Sequence, residues 1–221
     1  MAYGPSNVGQ RLRRFDDRRS LHAECEMTGN DIAADASDAG QPGKISTRRI
    51  HTGRIITVDH DVIRLPDGSS YGIDVVRHPG GCAVVPFVSD PRGADPQILL
   101  IKQYRYAAEQ YLYEIPAGRL DAGEEPVRCA VRELREETGC TAERVEFLFT
   151  MFTTPGFSDE RIHVFMATGL ERGETAHEAD EFMTVETVTL SRALQLIEQG
   201  EIKDAKTALG ILFAAGFRVN S

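Results

Sequence analysis

Apolar residues recur along this chain in two periods, and the switch between them marks out the elements. After Ile45 the run STRRIHTGRIITVDHDVIRLPDGSSYGIDVVRH reads as short alternating strands, and Pro66-Asp67-Gly68 predicts a hairpin turn. GCAVVPFVSD and QILLIKQYRY are two apolar strands across a polar turn, and YLYEIPAG is a further short strand. The period then changes: Val127, Ala130, Val131 and Leu134 stand at i, i+3, i+4 and i+7, the buried stripe of a helix. Pro126 suits its first turn and Gly139 its stop. RVEFLFTMFT and RIHVFMATGL resume as strands around the loop TPGFSDE, and EFMTVETVTL is one more. Ser191 is expected to cap a helix over 191–197, and a last helix over 203–217 to bury Ala205, Leu209, Leu212 and Phe213. Strands, helix, strands, helices: the order predicts an α/β layered domain.

Residues 1–44 lack any sustained apolar period and read as a mobile polar tail. Its basic cluster RLRRFDDRRS carries Asp16 and Asp17 inside it, which favours a solvated segment over a nucleic-acid or targeting signal. That leaves 45–76 as an N-terminal β region and 77–221 as the main domain. With 41% hydrophobic residues the chain can build a core, and its net charge of −9 argues against a broad nucleic-acid footprint. Cys25, Cys82, Cys129 and Cys140 form no CxxC pair and no zinc spacing, so a reducing compartment is expected, with Cys129 and Cys140 as packing residues. No apolar run reaches membrane-spanning length, and the expected location is the cytoplasm.

The chemistry concentrates in GRLDAGEEPVRCAVRELREETGC, residues 118–140. Glu133, Glu136 and Glu137 fall at i, i+3 and i+4 and share one helix face. Three carboxylates on one turn repel unless a cation sits among them, and hard oxygen donors at that density suit Mg²⁺ or Mn²⁺ bridging to phosphates. The apolar stripe is expected to face the core and the acidic face to point away from it, towards a cleft.

This segment resembles the Nudix box, G-x5-E-x7-R-E-U-x-E-E-x-G-U with U bulky and apolar. Gly118, Glu124, Arg132, Glu133, Glu136, Glu137 and Gly139 match every fixed position. At roughly one in eleven per position, composition alone gives that match about once in ten million. The resemblance covers roughly residues 45–215 and implies a Nudix α/β/α sandwich with a mixed sheet, preceded by a small N-terminal β-sheet. RHPGGCAVVPF, IKQYRYAAEQYLYEIPAGRLDAGE and TPGFSDERIHVFMATGL resemble bacterial ADP-ribose pyrophosphatases, in which a Pro lies about sixteen residues beyond the box Gly; Pro155 stands sixteen after Gly139.

That resemblance implies Mg²⁺-dependent hydrolysis of ADP-ribose to AMP and ribose 5-phosphate. It also implies a two-fold homodimer through the N-terminal sheet. Glu133, Glu137 and Glu136, with the carbonyl of Ala117, are the implied metal ligands; Arg132 orients the glutamates and Glu124 pairs with it. Glu181 in the acidic loop HEADEFM is the candidate general base and Glu178 the alternative; if neither acts, Glu136 is the next candidate. Arg77 and Arg105 are the candidate cations for phosphate or ribose, Glu114 for sugar hydroxyls or a metal-bound water, and Phe157 for packing on substrate. Two other readings stand beside this one: a hydrolase of another nucleoside-diphosphate sugar such as GDP-mannose, and a Nudix-like sensor without catalysis. All the box glutamates are present, which favours catalysis.

Overall fold

The computed structural model describes residues 41–173 and 183–218. Strands β1 (Gly43–Thr52), β2 (Thr57–Arg64) and β3 (Ser70–Arg77) form an antiparallel sheet in the order β1-β2-β3, with the Pro66-Asp67-Gly68 turn between β2 and β3. Every residue of β1 is exposed, including Ile45 and Ile50. The strand takes in residues 43 and 44, the last two of the segment read as polar tail.

Two further sheets carry the main domain. Strands β4 (Gly81–Pro86), β7 (Ala117–Arg119), β8 (Cys140–Phe152) and β9 (Arg161–Arg172) form one sheet in the order β7-β4-β9-β8, mixed because β4 and β9 run parallel. Strands β5 (Gln97–Arg105), β6 (Gln110–Glu114) and β10 (Met183–Thr189) form the other, in the order β10-β5-β6. All six residues of β4 are buried, and they alternate between two cores. Cys82 and Val84 meet Cys129, Ala130 and Leu134 of helix α1 (Pro126–Thr138) on one face. On the other, Ala83 and Val85 join the core of helices α2 (Leu190–Glu198) and α3 (Ala205–Phe213). Helix, sheet and helix are the layers of an α/β/α sandwich, and a strand covered on both faces needs the continuous apolar run that GCAVVP supplies.

Four local expectations change. YLYEIPAG is two strands in two sheets: Pro116 has no N–H to continue a ladder, and its carbonyl accepts instead from the Val84 N–H. Thr189, not Ser191, caps α2 by accepting from the Arg192 N–H, while Ser191 bonds Asp95. Helix α3 starts at Ala205 behind the cap Asp204 and ends at Phe213, followed by a π turn over Ala214–Arg218. It buries Thr207, Gly210 and Ile211, whereas Leu209 and Leu212 are exposed; Gly210 lets the helix approach Ile115 and Val85 closely. In α1, Val127 and Val131 are also exposed, and the buried face is Cys129, Ala130, Glu133, Leu134, Glu137 and Thr138. The apolar period misplaced that face because two glutamates with partners inside the fold outcompete two valines for the buried positions.

Candidate active site

A cleft of about 940 Å³ opens where α1, β5, β7 and the first turn of α3 meet. Glu133, Glu136 and Glu137 line it. Glu137 is only 2% exposed and Glu133 8%. Pro126 starts α1 and Gly139, at φ 68°, stops it by donating its N–H to the Arg135 carbonyl, so the helix ends just past the acidic turn. Glu137 Oε2 accepts from the Ala117 N–H at 2.8 Å, which ties the helix to the start of β7. Glu133 lies against Gly118, where an added β-carbon would meet its Oε1 at 1.9 Å. Gly118 is therefore required by close approach rather than by its backbone angles.

Arg132 is the cation among these carboxylates. It donates through Nε and Nη2 to the two oxygens of Glu124 at 3.0 and 2.9 Å, and through Nη1 to Glu133 at 2.6 Å and Glu136 at 3.1 Å. The Arg132 hydrogen bond holds the Glu124 carboxyl down at about 2, and Glu124 in turn pushes the guanidinium higher still. Among the described residues no three His, Cys, Asp or Glu side chains are gathered into a metal cage. The donor set is nonetheless all hard oxygen, three carboxylates on one turn beside the Ala117 backbone, and its chemistry fits Mg²⁺ or Mn²⁺.

The facing wall is a second charged network. Glu114, 1% exposed, accepts from Arg105 at 2.7 and 2.9 Å and from Lys206 at 2.5 Å; Lys206 also reaches Asp204 at 3.0 Å. Burial pushes the Glu114 carboxyl up, but the Arg105 hydrogen bonds and the charges of Lys206 and Arg105 win and hold it at about 2. Thr207 donates to Asp204 and accepts from the Ile115 N–H, so the first turn of α3 fixes the chain that runs from Glu114 to Ala117.

The sequence of residues 79–208 matches the NUDIX domain model. The chain belongs to the Nudix hydrolase family. It is 40% identical over 171 residues to an ADP-ribose pyrophosphatase of Bacillus subtilis and 39% identical over 171 residues to a methanol dehydrogenase activator of Bacillus methanolicus. Each alignment covers 76% of this chain and 90% of the relative. A solved structure described as an ADP compounds hydrolase shares the fold, with a TM-score of 0.65 at 21% identity over 80% of this chain and 94% of that one.

In this Nudix hydrolase Arg105 lines the cleft, and Glu114 sits buried behind it as its acceptor. Arg77 stands elsewhere. It pairs with Asp59, Asp61 and Asp159 at the end of β3 and does not line the cleft. Phe157 is 56% exposed in the loop between β8 and β9, where its carbonyl accepts from the Val76 N–H. Glu181 and Glu178 lie outside the described residues. Sequence reasoning missed Lys206, Asp204, Gln103 and Arg54, all of which line the cleft. Only Asp204 carried a local signal, as an N-cap before AKTALGIL; the others reach the cleft through contacts distant in the chain.

Proposed function

We propose that this Nudix hydrolase cleaves the pyrophosphate bond of ADP-ribose, giving AMP and ribose 5-phosphate, with Mg²⁺ (or Mn²⁺) as cofactor. The observation that carries the reading is the placement of Glu133, Glu136 and Glu137 in the wall of a cleft large enough for a nucleoside-diphosphate sugar. The name of the Bacillus subtilis relative, at 40% identity, supports ADP-ribose.

Those three carboxylates and the Ala117 carbonyl would hold the cation. When bound, it neutralises phosphate charge and lowers the pKa of a bound water. Arg132 orients Glu133 and Glu136 and is itself anchored by Glu124. Arg105 uses two of its five N–H groups on Glu114 and has three left for phosphate oxygens. Glu181 is the proposed general base, with Glu178 as the alternative. The protein is proposed to work in the cytoplasm as a homodimer. The fully exposed edge strand β1 supports the dimer, and the reduced, buried Cys82, Cys129 and Cys140 support the compartment. No helix among the described residues is long and apolar enough to cross a membrane.

AMP release from ADP-ribose, measured with and without Mg²⁺ and beside GDP-mannose, tests this. Mg²⁺-dependent release with preference for ADP-ribose is the expected result. Preference for GDP-mannose would move the assignment to another nucleoside-diphosphate sugar, and binding without turnover would leave a sensor.

A further inference from the structure

Gln103 sits on β5, two residues before Arg105, so the two side chains share a face of the strand. Both line the cleft. Gln103 is 8% exposed, and its Oε1 is buried without a hydrogen-bond partner among the described residues. A buried amide oxygen left unmet destabilises a fold, and native folds keep such groups rarely and for a reason. The buried residues that precede it on the strand, Ile98 to Ile101, are all apolar, and Gln103 is the buried polar exception.

The chemistry of the missing partner is restricted. An amide oxygen only accepts, so the partner must be a donor. Ionised phosphate oxygens are acceptors and suit the neighbouring guanidinium, not this oxygen. A nucleoside-diphosphate sugar offers both, phosphate oxygens for Arg105 and sugar O–H donors beside them.

We infer that Gln103 is a specificity-determining residue whose Oε1 accepts a hydrogen bond from a hydroxyl of the terminal sugar. The inference rests on the proposed nucleoside-diphosphate-sugar reading and extends it. A site built around such an acceptor rejects ligands that lack the hydroxyl, because its oxygen then stays unpaired. It would separate nucleoside-diphosphate sugars from plain nucleoside diphosphates.

The test is calorimetric binding of ADP-ribose and of ADP to the full chain, without metal and then with Mg²⁺, for wild type, Gln103→Met and Gln103→Glu. Gln103→Met should weaken ADP-ribose about tenfold or more and leave ADP within about twofold, since only the sugar contact is lost. Gln103→Glu keeps an acceptor and should retain most of the ADP-ribose preference, which also serves should the Met variant fail to fold. The metal-free Met variant should melt no lower than wild type, because an unmet buried acceptor has gone. Equal weakening of ADP and ADP-ribose would overturn the assignment, as would no weakening of either. So would an effect seen only with Mg²⁺, which would give the oxygen to a metal-bound water. If wild type binds GDP-mannose but not ADP-ribose, the ADP-ribose reading fails and the same comparison is made with GDP-mannose and GDP. Wild type binding neither sugar nucleotide would overturn both.

Discussion

At the scale of single residues, the acidic turn of α1 joins burial to charge. Glu137 is nearly sequestered from water, yet its oxygen is met by the Ala117 N–H. Replacing its charge and keeping its shape therefore separates chemistry from folding. Glu137→Gln should keep the Ala117 hydrogen bond and a melting temperature near wild type while lowering kcat by at least about 10²-fold. Steady-state AMP release beside a thermal melt checks this, and near-normal turnover by the folded variant would remove Glu137 from the proposed ligand set. Glu114 poses a different case, because its acidity reports on stability. Its carboxyl is held at about 2 against an ordinary 4.5, so its ionised pairing is present above about pH 4.5 and is lost as pH falls through about 2. That gap corresponds to about 3 kcal/mol at neutral pH. Glu114→Gln should destabilise the protein by this order at pH 7 and flatten the fall in stability between pH 4.5 and 2; urea unfolding across that range measures both.

At the scale of elements, the N-terminal sheet and the loop between β8 and β9 are bound to each other. Val76 and Ser158 form a parallel bridge, Asp159 accepts from the His78 N–H at 2.9 Å, and Arg77 reaches Asp159 at 3.2 Å. Arg77 simultaneously neutralises Asp59 and Asp61, both 4% exposed, of which Asp59 is held below the usual carboxylate range first by its hydrogen bond to Arg49. The loop's Glu160 pairs with His78, and both line the cleft. Arg77→Met and Asp159→Asn should each lower the melting temperature, and the double variant should lose less than the sum, with a coupling of about 0.5–3 kcal/mol. Strictly additive losses would show that the loop holds its place without this pair.

For the whole molecule, β1 is an exposed edge strand with no further strand beside it among the described residues, and such edges invite pairing. Removing residues 41–52 together with the preceding segment should convert the proposed dimer to monomer, whereas removing 1–40 alone should not. Sedimentation velocity distinguishes the two; a dimer that survives loss of β1 would place the interface elsewhere. The box, most of the strands and the α/β order were legible in the chain, because each rests on local spacing along it. Glu133, Glu136 and Glu137 share a face by helical geometry alone, and no folding partner is needed to know it. Burial was not legible in the same way. Val127 and Val131 face water and Glu133 and Glu137 face inward because Arg132, Gly118 and the Ala117 N–H wait for those carboxylates, and two of these three come from β7. Lys206 meets Glu114 across ninety-two residues of chain, and Arg77 meets Asp159 across eighty-two. The sequence by itself determined which residues could carry charge to one helix face; only the tertiary structure decided which of those charges were paired, since pairing depends on partners no local period can bring together.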